Sequence, residues 1–241
     1  MSSEAALWHE VECGGYEADL PLWSELTRRY GGPVLEVGAG SGRVALALAR
    51  EATSVVALDN DHDLLAELRH RAAAGGLANV ETVCGDARSY VAEENFRLIV
   101  VAMQTVQLFG GAAGRGRFLA CARRNLEPGG CLAVAVADLA PGGGSVPIEY
   151  PPDVLTFGDR TYESRPTCVR ADGAVLVIER RRALTEADGT LTERTWAQEI
   201  DRLGARELEG EARDAGLVPS GRLAVPPTGA YAGSEVVLLH G

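Results

Sequence analysis

One string limits this chain more than any other: VLEVGAGSGR at residues 34–43. An apolar run with strand character leads straight into Gly38-x-Gly40-x-Gly42, and a helical pattern, RVALALAR, occupies 43–50. Glycines so spaced let the backbone turn sharply and let a ligand lie against bare amides at a helix N-terminus. Alone, such a turn is weak evidence, because many glycine-rich strings are only tight loops. Its surroundings carry the weight.

Around the turn the chain alternates between two periodicities. Residues 17–30 place Leu20, Trp23, Leu26 and Tyr30 at helical spacing and stop at Gly31-Gly32. Strands are expected at 33–37, 54–58, 79–84, 96–102 and 131–137, with helices at 43–50, 63–74 and 115–126. Short apolar strands alternating with helices predict an α/β fold with a mostly parallel sheet covered on both faces and right-handed crossovers. The rhythm breaks at PGGGSVP (141–147). From 153 to 202 longer β segments, separated by Asp172-Gly173 and Asp188-Gly189, predict an antiparallel insertion. A helix over 205–216 and two last strands, LVPSGRL and SEVVLLH, return to the core sheet. The expected organisation is a core with an N-terminal helix over 1–140, a flap over 141–203, and completion of the core by 204–241.

Composition narrows the function. A chain of 241 residues suits one α/β domain, or a core with an insertion. A formal charge of -11 argues against a nucleic-acid partner, which needs a basic stripe to neutralise phosphates. All 23 basic residues are arginine, which is read as codon bias. Five cysteines at wide spacings suggest neither a disulfide framework nor a thiolate metal site, and fit a reducing, cytoplasmic setting. The N-terminal MSSEAALWHEVEC lacks the pattern of a signal peptide, and the longest apolar stretch, 131–140, is too short to span a membrane.

In open α/β sheets ligands bind at the carboxyl ends of the strands. Strand two ends in Leu58-Asp59, where a carboxylate can accept both ribose hydroxyls of a nucleoside, and strand three ends in Cys84-Gly85-Asp86. A dinucleotide fingerprint would need a glycine at 43, and arginine stands there. Glu36, inside the strand end, would repel a pyrophosphate but favour an ammonium and a sulfonium.

This arrangement resembles the class I S-adenosylmethionine-dependent methyltransferases. Their first motif, (D/E)-x-G-x-G-x-G, is matched by Glu36-Val37-Gly38-Ala39-Gly40-Ser41-Gly42; their ribose-binding acid by Asp59; their adenine-contacting pair by Gly85-Asp86; and their loop before strand five by LEPGG at 126–130. The resemblance covers roughly 16–140 and the final helix and strands. It implies a Rossmann-like, doubly wound, seven-stranded sheet with the last strand antiparallel. It also implies S-adenosyl-L-methionine as cofactor and a methyl acceptor that is a small molecule. Glu36 would receive the methionine ammonium, and Gly38, Ala39, Gly40 and Gly42 would admit the cofactor. Asp59 would hold the ribose, Asn60 would lie beside the adenine, Asp86 and Ala87 would bound the adenine, and Met103 would lie in the loop facing the methyl. The helix of YEADLPLWSEL and the flap resemble the small-molecule branch, including sugar-amine and glycine N-methyltransferases, whose flap often forms a homodimer. One departure is Phe96-Arg97 where the superfamily usually has Phe-Asp.

Methyl transfer needs positioning above all, with an unprotonated amine or a hydroxyl near a base as nucleophile. His9, Tyr16, Gln104 and Gln107 are the candidates to orient or deprotonate the acceptor. Each has a plainer reading as a packed or surface residue; Asn60 could join Asp61 in capping a helix, Trp23 could be core, and Arg180-Arg181-Arg182 could be a solvated face with at most two side chains in one cleft. His62 and His70 are expected at the surface, and His240, near the terminus, is expected to be inert. The function that results is methyl transfer to nitrogen or oxygen of a small metabolite. The alternative keeps the fold and cofactor but performs non-methylating chemistry, as a cyclase or decarboxylase. A non-catalytic relative would be expected to have a degraded glycine loop, and a nucleic-acid or protein-glutamine methylase an Asn/Asp-Pro-Pro-aromatic motif where AMQT stands.

Overall fold

The apolar runs become strands of one sheet whose alternate residues pack in opposite directions. A computed structural model describes residues 3–137, 145–147, 150–229 and 231–241 of the chain. In the first half, α1 (Glu4–His9) and a π-helical turn (Glu10–Gly14) precede α2 (Leu20–Tyr30), β1 (Val34–Val37), α3 (Ala45–Leu48), β2 (Val55–Asp59), α4 (His62–Ala74), β3 (Val80–Cys84) and β4 (Phe96–Val101). Then come a 3-10 turn (Thr105–Leu108), α5 (Gly111–Asn125) and β5 (Leu126–Val136). Val34, Ala57, Leu98, Val100 and Ala133 pack with α2, α3 and α4 through Trp23, Leu48, Leu65 and Leu68. Leu35, Leu58, Ile99, Val101 and Leu132 face the other way, onto Phe118 and Leu119 of α5. Each fully buried leucine or valine contributes about 1.5–3 kcal/mol, so covering both faces is what fixes the parallel sheet.

The insertion follows as β6 (Ser145–Pro147), β7 (Asp153–Phe157), β8 (Arg160–Asp172), β9 (Val175–Thr185) and β10 (Leu191–Asp201), a separate five-stranded antiparallel sheet. The chain then returns through α6 (Ala205–Asp214), β11 (Val218–Val225) and β12 (Ser234–His240). The large sheet has the order β11-β12-β5-β4-β1-β2-β3. β1 pairs in parallel with β2 and β4, while β12 runs antiparallel to both β5 and β11. The seven-stranded, mostly parallel sheet with an antiparallel last strand and an antiparallel insertion is thus present. The boundary expected at 140–141 lies outside the described residues.

Four local expectations change. The helix expected at 43–50 shrinks to Ala45–Leu48, because Arg43 belongs to the turn and reaches back to α2. α5 starts at Gly111, four residues early, because the Asp201 carboxylate accepts the Gly111 N–H at 2.7 Å and caps the helix from the far end of β10. LEPGG is not a loop before strand five but a shift in β5 pairing, between Phe96↔Leu126 and Leu98↔Cys131. DVLTFGDRTYE is two strands, since Gly158 takes a left-handed conformation (φ 60°) and closes a hairpin. Nothing in the sequence reading anticipated α1. It is six residues long and held by tertiary contacts, with only Ser3 capping it.

Candidate functional site

β1 delivers the glycine turn to the carboxyl edge of the large sheet, and β2 pins it there. The Gly38 and Ala39 N–H groups donate to Leu58 O at 2.8 and 3.1 Å. Asp59, the last residue of β2, accepts the Gly40 N–H on Oδ2 at 2.8 Å and the Asp61 N–H on Oδ1 at 2.9 Å. Gly38 and Gly40 have φ of 74° and 54°, which side-chain-bearing residues rarely adopt. Both are also closely approached. A Cβ on Gly38 would run into Thr105, and one on Gly40 would meet the His9 ring at 2.6 Å. Gly42 lies against Leu68 of α4.

Glu36 is the outlier in this region. It is 2% exposed, and its Oε2 has no hydrogen-bond partner. Burial pushes its carboxyl well above the usual carboxylate range; the Arg43 charge opposes this and the Asp59 charge adds to it. A buried acid with an orphaned oxygen costs stability unless a cation or donor arrives. Arg43 cannot fully serve, because its guanidinium grips Asp19 at 2.6 and 2.9 Å and Tyr16 O at 2.7 Å. Asp19 is shared with Trp23 Nε1 at 2.9 Å. This buried Arg43–Asp19–Trp23 link was missed in the sequence, where Trp23 read only as core.

The N-terminal segment closes over the turn. His9 Nδ1 lies 3.2 Å from Ser41 Oγ, and Ser41 Oγ donates to Glu10 Oε2 at 3.3 Å. Glu10 also pairs with Arg71 of α4 at 2.7 Å. Burial lowers the His9 pKa, outweighing the raising effects of Asp59, Glu10 and Glu12. His9 is therefore a neutral wall against the turn at neutral pH.

A cavity of about 40 Å³ opens at the ends of β4 and β5, lined by Tyr16, Met103, Gln104, Ala137 and Tyr231 through Ser234. Met103, on its wall, has φ 53°, an uncommon backbone state for a residue with a side chain. The Tyr16 and Tyr231 rings lie 4.9 Å apart, and the Tyr16 ring also carries the Arg43 guanidinium at 5.0 Å. Tyr231 OH donates to Asp153 Oδ1 at 3.2 Å.

Not every expected residue joins these groups. Gln107 is a correction. It is 1% exposed, its amide hydrogens go to Ala137 O and Asp201 O, and its carbonyl accepts the Ala137 N–H. It is a strut between β5 and the flap, with no free polar group for an acceptor. Asp86 is at the expected edge, but its carboxylate is bound to Arg88 at 2.8–3.1 Å and is half exposed. Those hydrogen bonds hold its pKa down to about 2. Asn60 is exposed; Asp61 alone caps α4, through the Asp63 and Leu64 N–H groups. Ala87 packs on the core face occupied by α5. His62 and His70 are exposed, while His240 bonds Gly130 O at 2.9 Å.

The flap arginines depart from the solvated face expected of them. Arg180 and Arg182 point to one side, as strand alternation allows, and Arg181 to the other, near Glu163 and Glu193. Arg182 holds both oxygens of Glu12 at 2.7 and 2.8 Å, between the rings of Trp8 and Trp196. Arg180 bonds Ser164 at 2.9 Å and Asp153 at 2.6 Å. The alternation of three arginines was the only sequence signal for this network; nothing singled out Tyr231, in a proline- and glycine-rich connection.

Residues 34–130 match the family model described as a methyltransferase domain. No curated protein matches the chain. Among solved structures it is similar to SAM-bound CalS10, an amino pentose methyltransferase of Micromonospora echinaspora, at 19% identity over 98% of this chain and 96% of that one (TM-score 0.74). It is similar to the CcbJ methyltransferase of Streptomyces caelestis at 21% identity over 95% and 97% (TM-score 0.71). The sugar N-methyltransferase KedS8 of a Streptoalloteichus species is 16% identical over 98% and 93% (TM-score 0.73). No helix among the described residues is long and apolar enough to cross a membrane. The segment that carries the glycine turn, Glu36 and Asp59 is thus the one that matches a methyltransferase-domain model, residues 34–130, and the chain as a whole shares the fold of solved S-adenosylmethionine-dependent methyltransferases.

Proposed function

We propose that this chain binds S-adenosyl-L-methionine and transfers its methyl group to nitrogen or oxygen of a small metabolite of the amino-sugar kind. The observation that carries the reading is the orphaned, buried carboxyl of Glu36 beside a glycine turn pinned by Asp59. An amino-acid ammonium supplies the missing cation, and ribose hydroxyls can donate to the lone pairs that Asp59 has not given to the Gly40 and Asp61 amides. The bare backbone at Gly38, Ala39, Gly40 and Gly42 admits a close ligand. Asp86, with Ala87 and Asn60 nearby in sequence, would meet the adenine once Asp86 shares its bonds with Arg88. Met103 would face the reacting methyl.

When bound, the sulfonium supplies an activated methyl whose transfer is an in-line displacement that disperses positive charge. The chain's own task is then positioning and exclusion of water. The α1 segment, with His9 against Gly40, shuts the turn from solvent. Tyr16 and Gln104, on the cavity wall, would orient the acceptor. The similarity to CalS10 and KedS8 supports an aminated sugar as acceptor class. The flap, residues 141–203, would form the acceptor side of the site and a surface for a homodimer, with the core on either side of it in sequence.

Calorimetry with S-adenosylmethionine and S-adenosylhomocysteine, on the wild type and on Asp59→Ala, tests the cofactor site. Asp59→Ala should weaken both ligands by at least about tenfold, roughly 1.4 kcal/mol. Unchanged affinity would remove the reading. Incubation with amino sugars should release S-adenosylhomocysteine; binding without release across amino-sugar and hydroxylic acceptors would favour non-methylating chemistry on the same fold.

A further inference from the structure

The cavity is lined by three hydroxyl-bearing residues, Tyr16, Tyr231 and Ser234, and by Gln104. One of these hydroxyls is coupled to a carboxylate: Tyr231 OH lies 3.2 Å from Asp153 Oδ1. The other Asp153 oxygen, Oδ2, is gripped by Arg180 Nη2 at 2.6 Å. Oδ1 is therefore the oxygen able to take up a proton. Because the Tyr231 hydroxyl donates to it, the phenolic oxygen keeps lone pairs free to accept from a group in the cavity. The ring is held in place by Tyr16 and by its own backbone, whose N–H donates to Thr228 Oγ1 at 3.0 Å and whose carbonyl accepts the Thr228 N–H at 2.9 Å. His9, the other candidate base, is turned to Ser41 and does not line this cavity.

We propose that Tyr231 is the catalytic residue that accepts the proton of the methyl acceptor, passing its own to Asp153, which Arg180 positions. The inference rests on the methyl-transfer reading above and assigns a residue that reading left open. The acceptor atom bonds to the methyl carbon as the carbon–sulfur bond breaks, and the sulfur keeps the electron pair in S-adenosylhomocysteine. The acceptor's proton passes to the Tyr231 oxygen, and the Tyr231 proton to Asp153 Oδ1. One positive charge on the donor and one negative charge on Asp153 are both lost, so charge balances. Burial raises the Asp153 pKa, outweighing Arg180 and the Tyr231 hydrogen bond, and so suits it to hold a proton. Burial and the Asp153 charge push Tyr231 up to about 12, so it works as a neutral relay and not as a phenolate. The charged and titratable groups around Asp153 are Arg180 from β9, Tyr231, and Glu12 and Cys13 from the N-terminal turn.

The test does not need the natural acceptor. Sinefungin, the adenosyl analogue that carries a primary amine where the methyl would be, places an N–H group beside the reacting atoms; S-adenosylhomocysteine lacks it. Calorimetry of both ligands should show Tyr231→Phe losing about tenfold in sinefungin affinity, with S-adenosylhomocysteine unchanged. In the wild type the preference for sinefungin should shrink as pH falls through the raised Asp153 pKa. Asp153→Asn should flatten that pH dependence and Asp153→Glu restore it. An unchanged sinefungin preference in Tyr231→Phe, or the same pH profile in Asp153→Asn, overturns the proposal. Should Asp153→Asn also weaken S-adenosylhomocysteine, Tyr231→Phe alone decides. A wild type that binds neither ligand sinks the methyl-transfer reading itself, a result distinct from either of these.

Discussion

Glu36 shows how a single side chain can be unfavourable for the fold and still suit the role proposed for it. Its folded pKa is raised by burial above the ordinary 4.5. The native state therefore holds this proton more tightly than the unfolded chain. Stability is lost as pH rises from about 4.5 through the folded value. Removing the ionisable group should reverse that loss. The unliganded Glu36→Gln protein should melt higher than wild type at pH 7–8, with the difference vanishing near pH 4.5, as scanning calorimetry would show. The same substitution should weaken S-adenosylmethionine binding by about tenfold or more, since it removes the charge meant for the ammonium. A lower melting temperature with unchanged affinity would mean that Glu36 serves the fold. At this scale the sequence was informative. Glu36 stands at a strand end where a buried carboxylate costs stability, Asp59 ends the next strand and pins the turn, and the turn needs glycine at Gly38 and Gly40 on backbone grounds.

At the scale of elements, the connection between core and flap is made by polar side chains whose partners the sequence left unmarked. Arg115 of α5 is 3% exposed at its side chain and reaches Asp201 at 2.6 Å and both oxygens of Glu211 at 2.6 and 2.8 Å. Asp201 in turn caps α5 at Gly111, and its carbonyl takes Gln107. α5, β10, α6 and the 3-10 turn are thus tied by one cluster. Arg115→Ala would leave two carboxylates without their partner, at about 3–5 kcal/mol. A melting temperature lowered by roughly 10 °C is expected for a chain of this length. A shift of only a degree or two would show that water replaces the guanidinium. The strands and helices around this cluster were legible because burial imposes periodicity. The cluster was not, because Asp201 and Glu211 lie 86 and 96 residues from Arg115 in the chain, beyond the reach of local pattern.

For the whole molecule, residues 4–14 are held against the flap, and the closure proposed for the site depends on it. Trp8 packs edge-on to Tyr162 at 5.1 Å, and Arg182 lies between Trp8 and Trp196 while it holds Glu12. Burial pushes the Glu12 carboxyl up, but hydrogen bonds from Arg182 and Ser164 and the charge of Arg180 outweigh it and keep the acid ionised below its usual range. Arg182→Ala should release this segment. Hydrogen exchange of residues 4–14 should accelerate by tenfold or more, with the central strands unchanged. Uniform exchange across the chain would instead mean that Arg182 serves only global stability. The sequence by itself determined the large sheet, the glycine turn and two acids at its edge, because these follow from local periodicity and backbone geometry. Only the tertiary structure decided which polar groups meet: Arg43 with Asp19, Arg182 with Glu12, Tyr231 with Asp153. Such pairs join segments 24, 170 and 78 residues apart, which local pattern cannot bring together, and their chemistry arises from burial that exists only once the chain has closed.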